Sequence, residues 1–158
     1  MDPMTYEHIL AATDFSELGD LALCRAAELA LALDCRLTAV HILPEPESPS
    51  PLFAHYEVHT DEDRMIKAKA GAVEALRERI PKRVRESGLS IEYVVCMGDP
   101  VTELLSLDAS RHPDLLVLAT HGRRGFQRWI MGSVAERVVQ MAHADVLAVR
   151  RHPEDEAT

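Results

Sequence analysis

Residues 8–12 (HILAA) are apolar without interruption and end at Thr13-Asp14. A run with no polar alternation reads as a strand buried on both faces, as in a parallel sheet. Leu21, Ala22, Cys24, Ala26, Ala27, Leu29, Ala30 and Leu33 then recur at helical spacing, with Ser16 placed to cap the helix and Asp34 just beyond it. Residues 36–43 (RLTAVHIL) give a second strand. Four prolines from Pro44 to Pro51 forbid regular structure, so residues 44–60 read as an exposed loop. A charged helix is expected over residues 61–86. Asp61, Glu62 and Asp63 stand at its positive end, Lys82, Arg83 and Arg85 at its negative end, Gly88 is its stop and Pro81 a kink. Residues 89–97 (LSIEYVVCM) form a third strand, and Gly98-Asp99-Pro100 turns into a helix that ends near Arg111, with Asp99 as cap and Pro100 in first position. Residues 114–119 (DLLVLA) give a fourth strand, a helix runs from Ile130 or Ser133 to Met141, and residues 145–150 (DVLAVR) give a fifth strand.

Strands alternating strictly with helices predict one α/β domain, an open parallel five-stranded sheet with helices on both faces. The domain spans residues 1–152, and residues 153–158 form a charged tail. The alternation does not fix strand order. A chain of 158 residues suits one domain, and 47% hydrophobic content suits a packed core. The net charge of −9 argues against a general nucleic-acid binder or a protein held to anionic membranes. The first residues, MDPMTYEHIL, lack a signal-peptide pattern, and no apolar run approaches the roughly 18 residues of a membrane span. Cys24, Cys35 and Cys96 are odd in number and widely spaced among apolar neighbours, so all three read as buried structural thiols. These features together predict a cytoplasmic protein.

In open α/β sheets ligands lie beyond the carboxyl ends of the strands, where strand order reverses. Gly122, Arg123, Arg124 and Gly125 follow the fourth strand, and Gly132-Ser133 opens the next helix. Glycines let backbone N–H groups approach an anion closely. The N–H groups of Ser133, Val134 and Ala135 are orphans of a helix start, where the helix dipole also favours negative charge. Arg123, Arg124 and Arg128 add three cations with no acid among them. A solvated turn is the plain alternative. Asp14, between a buried strand and a helix, could receive sugar hydroxyls or simply serve the helix start.

Ile9-Leu-Ala-Ala-Thr-Asp-Phe-Ser16, Gly98-Asp-Pro100, Thr120-His-Gly-Arg-Arg-Gly125, Gly132-Ser-Val-Ala-Glu-Arg-Val138 and Ala144-Asp-Val-Leu-Ala-Val-Arg150 together resemble a universal stress protein of the single-domain bacterial type, over nearly the whole chain. Nucleotide-binding members share a G-x2-G-x9-G-[ST] pattern. Gly122, nine intervening residues, Gly132 and Ser133 match its latter part, while its first glycine falls on Ala119. Ala12 stands where some ATP-binding members have proline. The resemblance implies a Rossmann-like or flavodoxin-like sheet of order 3-2-1-4-5. It implies ATP or a related adenine nucleotide, with Mg2+ or Mn2+ bridging its phosphates. Ala12, Thr13, Asp14 and Val40 would surround adenine and ribose. Leu118, Ala119, Gly122, Arg123, Gly125, Gly132, Ser133, Val134 and Ala135 would hold ribose and phosphates. It further implies a homodimer through Val146–Val149, a protein partner that the sequence does not identify, and a stress-response module rather than an enzyme. A nucleotide-independent adaptor dimer, suggested by Ala119, and a slow ATP hydrolase are the alternatives.

His55 and His59 near Asp61 have helical metal spacing but sit beside prolines, so a surface loop is expected. His121 lies in the glycine loop, within reach of a phosphate and with no Ser or Cys partner evident in sequence. Phe126 and Trp129 are expected to pack that loop down. No G-x4-G-K-[ST] sequence or nucleophile elbow occurs.

Overall fold

The computed structural model of the chain describes residues 5–45, 60–121 and 131–151. The apolar runs become five strands: β1 (His8–Ala12), β2 (Arg36–Leu43), β3 (Ile91–Met97), β4 (Leu115–Ala119) and β5 (Asp145–Val149). Five helices join them: α1 (Glu17–Leu33), α2 (Thr60–Arg79), α3 (Lys82–Arg85), α4 (Pro100–Arg111) and α5 (Ser133–Met141). All pairings are parallel, in the order β3-β2-β1-β4-β5. The order implied by the resemblance is the observed one, and the sheet reverses between β1 and β4.

Strand side chains alternate between two layers. Ile9 and Ala11 of β1 pack with Ala22, Leu23, Ala26 and Ala27 of α1 and with Leu76, Ile80 and Val84 beyond β2. Leu10 faces the other way, towards Leu104 and Leu107 of α4 and Ala135 and Val138 of α5. α1 to α3 therefore cover one face, and α4 and α5 the other. Fully burying a leucine or valine side chain contributes about 1.5–3 kcal/mol, so these two layers supply most of the drive to fold.

The expected start signals operate. Ser16 caps α1 by accepting the N–H of Gly19, and Asp99 caps α4 by accepting the N–H of Thr102. Gly88 adopts φ +86°, the left-handed region that glycine enters without steric cost. Pro81 does more than kink the charged helix. It lacks an N–H and disfavours helical geometry at Ile80, so α2 ends at Arg79 and α3 is a single turn. Ile80 and Val84 stay buried across this break. Only Cys35 is buried; Cys24 and Cys96 are half-buried, because α1 and the edge strand β3 leave them partly uncovered. Burial raises the pKa of all three thiols above the ordinary cysteine value, which keeps them poor nucleophiles. Among the described residues no helix is long and apolar enough to cross a membrane.

Candidate functional site

The chain leaves β1 through a tightly bonded turn. The Thr13 hydroxyl accepts the N–H of Phe15 at 3.0 Å and donates to Oδ1 of Asp20 at 3.0 Å. Its N–H donates to the Val40 carbonyl, and its own carbonyl accepts Nδ1–H of His41 at 2.8 Å. Every polar group of Thr13 is thus engaged, and it shapes the crest from within. Asp14 Oδ1 accepts both the N–H and the hydroxyl of Ser16, so this acid does serve the helix start. Between them Phe15 is held at φ +62°, an unusual conformation for a bulky residue and one that concentrates at functional sites.

The ring of Phe15 stacks on His41, with centroids 3.9 Å apart and planes 18° from parallel. The Arg79 guanidinium lies 4.3 Å above the same ring, and its Nε donates to both carboxylate oxygens of Asp20 at 2.9 Å. Beside this stack, between the ends of β1 and β2 and the flank of α2, opens a cleft of about 350 Å³. Among the described residues it is lined by Asp14, Phe15, His41, Gly71, Ala72 and Ala75, with Ile42, Leu43 and Pro44 at the end of β2. His41, Phe15 and the α2 wall were not singled out in sequence. An aromatic beside an acid at a strand end was the available signal; the contribution of α2 had none.

On the other face of the sheet, α5 begins beside β4. Gly132 N–H donates to the Thr120 carbonyl at 2.6 Å, so the chain returns to the crest close to where it left. Gly132 is the N-cap and offers no side chain to satisfy the first turn. The N–H groups of Ser133, Val134 and Ala135 have no hydrogen-bond partner among the described residues. Ser133 is exposed and Ala135 buried. His121 Nδ1 pairs with the Thr120 hydroxyl at 2.9 Å, and its Nε2 is buried without a partner among the described residues. The partner missing from the sequence reading is thus a threonine, the neighbouring residue.

The structure brings Ala12, Val40, Leu118, Val134 and Ala135 into one apolar cluster under the crest. Val40, Leu118 and Ala135 are buried there, so their side chains form the floor and only backbone could face a ligand. Ala119 packs with the opposite cluster, on the α1 side. Its methyl, the departure from the glycine pattern, is therefore directed away from α5. Gly122, Arg123, Arg124, Gly125, Phe126, Arg128 and Trp129 lie outside the described residues, as do His55 and His59.

An acceptor and a set of donors thus flank the strand reversal, a carboxylate beside an aromatic cleft and an uncapped helix start. The sequence profile of the universal stress protein family matches residues 5–150. The chain belongs to the universal stress protein family. A putative universal stress protein of Staphylococcus haemolyticus is 32% identical over 155 residues, covering 96% of this chain and 90% of its own. Among solved structures, the universal stress protein UspA from Lactobacillus plantarum superposes with a TM-score of 0.76 at 23% identity, covering 94% of this chain and all of its own. A universal stress protein in complex with cAMP superposes with a TM-score of 0.68 at 23% identity, with the same coverage. At these identities the structural likeness establishes the fold of the family member described here.

Among the described residues no group of three or more His, Cys, Asp or Glu side chains could hold a metal ion. Uncapped amides suit phosphate oxygens rather than a cation. A divalent ion at this site would fit only as a companion of phosphate, coordinated chiefly by phosphate oxygens and water.

Proposed function

We propose that this chain binds an adenine nucleotide, ATP foremost, across the crest of the sheet, and that it works as a stress-response module and not as an enzyme. One observation carries the reading. The amides of Ser133, Val134 and Ala135, without partners among the described residues, meet the strand reversal across from the cleft that Asp14 lines. Helix-start amides favour phosphate, and the Asp14 carboxylate can receive ribose hydroxyls. The Gly122–Ser133 part of the family's nucleotide pattern and the cAMP complex of a structural relative support the same assignment. The methyl of Ala119, which motivated a nucleotide-independent adaptor, packs on the other face.

In this reading the protein is cytoplasmic and dimerises through β5, and nucleotide occupancy alters the surface offered to a protein partner. Such a switch requires different affinities for the nucleotide in two conformations. Mg2+ or Mn2+ enters with the triphosphate. Isothermal titration with ATP and Mg2+ tests the proposal, and silence at millimolar ATP sinks it. Turnover abolished by Ser133→Ala in tag-free protein would instead make the chain a hydrolase.

A further inference from the structure

Gly71 stands in the middle of α2, eleven residues from its start and eight from its end. Glycine is the poorest helix former after proline, so a mid-helix glycine calls for a reason. Packing against the described residues supplies none. A Cβ built on Gly71 meets no described atom within 4 Å, and its φ lies outside the left-handed region. What Gly71 does is line, with Ala72 and Ala75, the same cleft that the stacked residues Phe15 and His41 line. Aromatic side chains and a helix face stripped of bulk thus border one cleft, a lining that suits a flat ring. At about 350 Å³ the cleft is in the range of small-molecule sites.

We infer that Gly71 is a specificity-determining residue, whose missing side chain keeps the slot open for the nucleobase of the bound nucleotide. The inference rests on the proposed nucleotide reading and extends it. With phosphates on the start of α5 and ribose at Asp14, the base lies between the Phe15–His41 stack and α2. A side chain at position 71 would occupy the room of the base while leaving the helix better formed.

The test separates fold from ligand. Gly71→Ala, Gly71→Leu and Gly71→Phe are compared with Ala70→Leu, an exposed control on the same helix but turned away from the face of Gly71, Ala72 and Ala75. Thermal unfolding and calorimetric titration with ATP and with adenosine are read for each. Gly71→Ala and Gly71→Leu should raise the melting temperature by about 3 °C. Gly71→Leu and Gly71→Phe should weaken ATP and adenosine alike, by about tenfold or more, and Gly71→Ala by less. Ala70→Leu should leave affinity unchanged. Wild-type affinity in Gly71→Leu overturns the inference while the nucleotide reading stands. A variant that loses stability along with affinity also overturns it, since glycine would then serve the fold. A wild-type protein that binds neither ligand removes the nucleotide reading and the inference with it.

Discussion

A Cβ on Gly19 would stand 2.5 Å from Oδ1 of Asp14, so α1 approaches the crest turn only because residue 19 has no side chain. The same Cβ would lie 2.9 Å from the Thr13 hydroxyl and 3.1 Å from the Asp14 amide nitrogen. Three oxygen-bearing side chains, Thr13, Asp14 and Ser16, are locked over this point.

Gly19→Ala therefore sets two effects against each other. The helix gains up to about 1 kcal/mol from replacing glycine by alanine. Forcing a methyl into a filled space costs about 1–3 kcal/mol, and the backbone nitrogen cannot swing aside as a flexible side chain could. The clash should win. Urea unfolding should show a lower midpoint with an unchanged m-value, and nucleotide affinity should fall because Asp14 is displaced. Equal or greater stability in the variant would mean that the turn yields more easily than its hydrogen bonds suggest.

Asp108 is a buried carboxylate on α4 that ties down the turn between α5 and β5. It accepts the N–H of His143 at 2.7 Å, the N–H of Ala144 at 3.2 Å and Nδ1 of His143 at 3.1 Å. Asp108→Ala strands two backbone donors and should cost about 3 kcal/mol, since bonds to a charged group contribute about 1.5–3 kcal/mol each. His143→Ala should cost under about 1 kcal/mol, because its side chain is 84% exposed and the backbone bond survives. Chemical denaturation of both variants checks the asymmetry; similar losses would shift the burden from the backbone donors to the imidazole.

These cases also mark where sequence reading stops. Asp108 falls within an amphipathic helix, and nothing local distinguishes a buried anchoring carboxylate from a solvated one. Asp114 reads as the first residue of a strand, yet its carboxylate accepts the N–H groups of Glu7 and His8, and β4 starts one residue later. By contrast β1, β2, the caps Ser16 and Asp99 and the end of α4 were legible, since each depends on a few neighbouring residues. The start of α5 was legible for the same reason. The cleft was not, because it exists only once α2 lies over the end of β2, a long-range fact that the aromatic beside Asp14 does not reveal.

His8 gives the fold a pH dependence. It is buried at the foot of β1, with Nε2 paired to the Thr38 hydroxyl at 2.8 Å. Burial lowers its pKa below the ordinary histidine value and the Arg36 cation adds to this, while the Arg111 backbone and then the Asp114 carboxylate oppose it. The unfolded chain therefore takes up the proton first as pH falls. The stability gained by keeping His8 neutral is complete above the ordinary value near 6.5 and is lost as pH drops towards the folded pKa. Urea midpoints between pH 7.5 and about 5 should fall more steeply for wild type than for His8→Gln, which cannot titrate. Parallel slopes would assign the pH dependence to other groups.

The exposed edge of the sheet supplies the last prediction. β5 pairs only with β4 among the described residues, so its other edge carries unpaired backbone groups. Leu147 is 39% exposed there, and Val139 and Met141 on α5 are 46% and 59% exposed. An edge strand without a charge in its middle invites a second strand, which natural monomers avoid by placing lysine on the edge. Leu147→Lys supplies that lysine where the side chain is already partly in water, so the fold should survive. Wild type should sediment as a dimer and the variant as a monomer with unchanged far-UV dichroism. A wild-type monomer, or a variant that dimerises as strongly, would remove β5 as the interface.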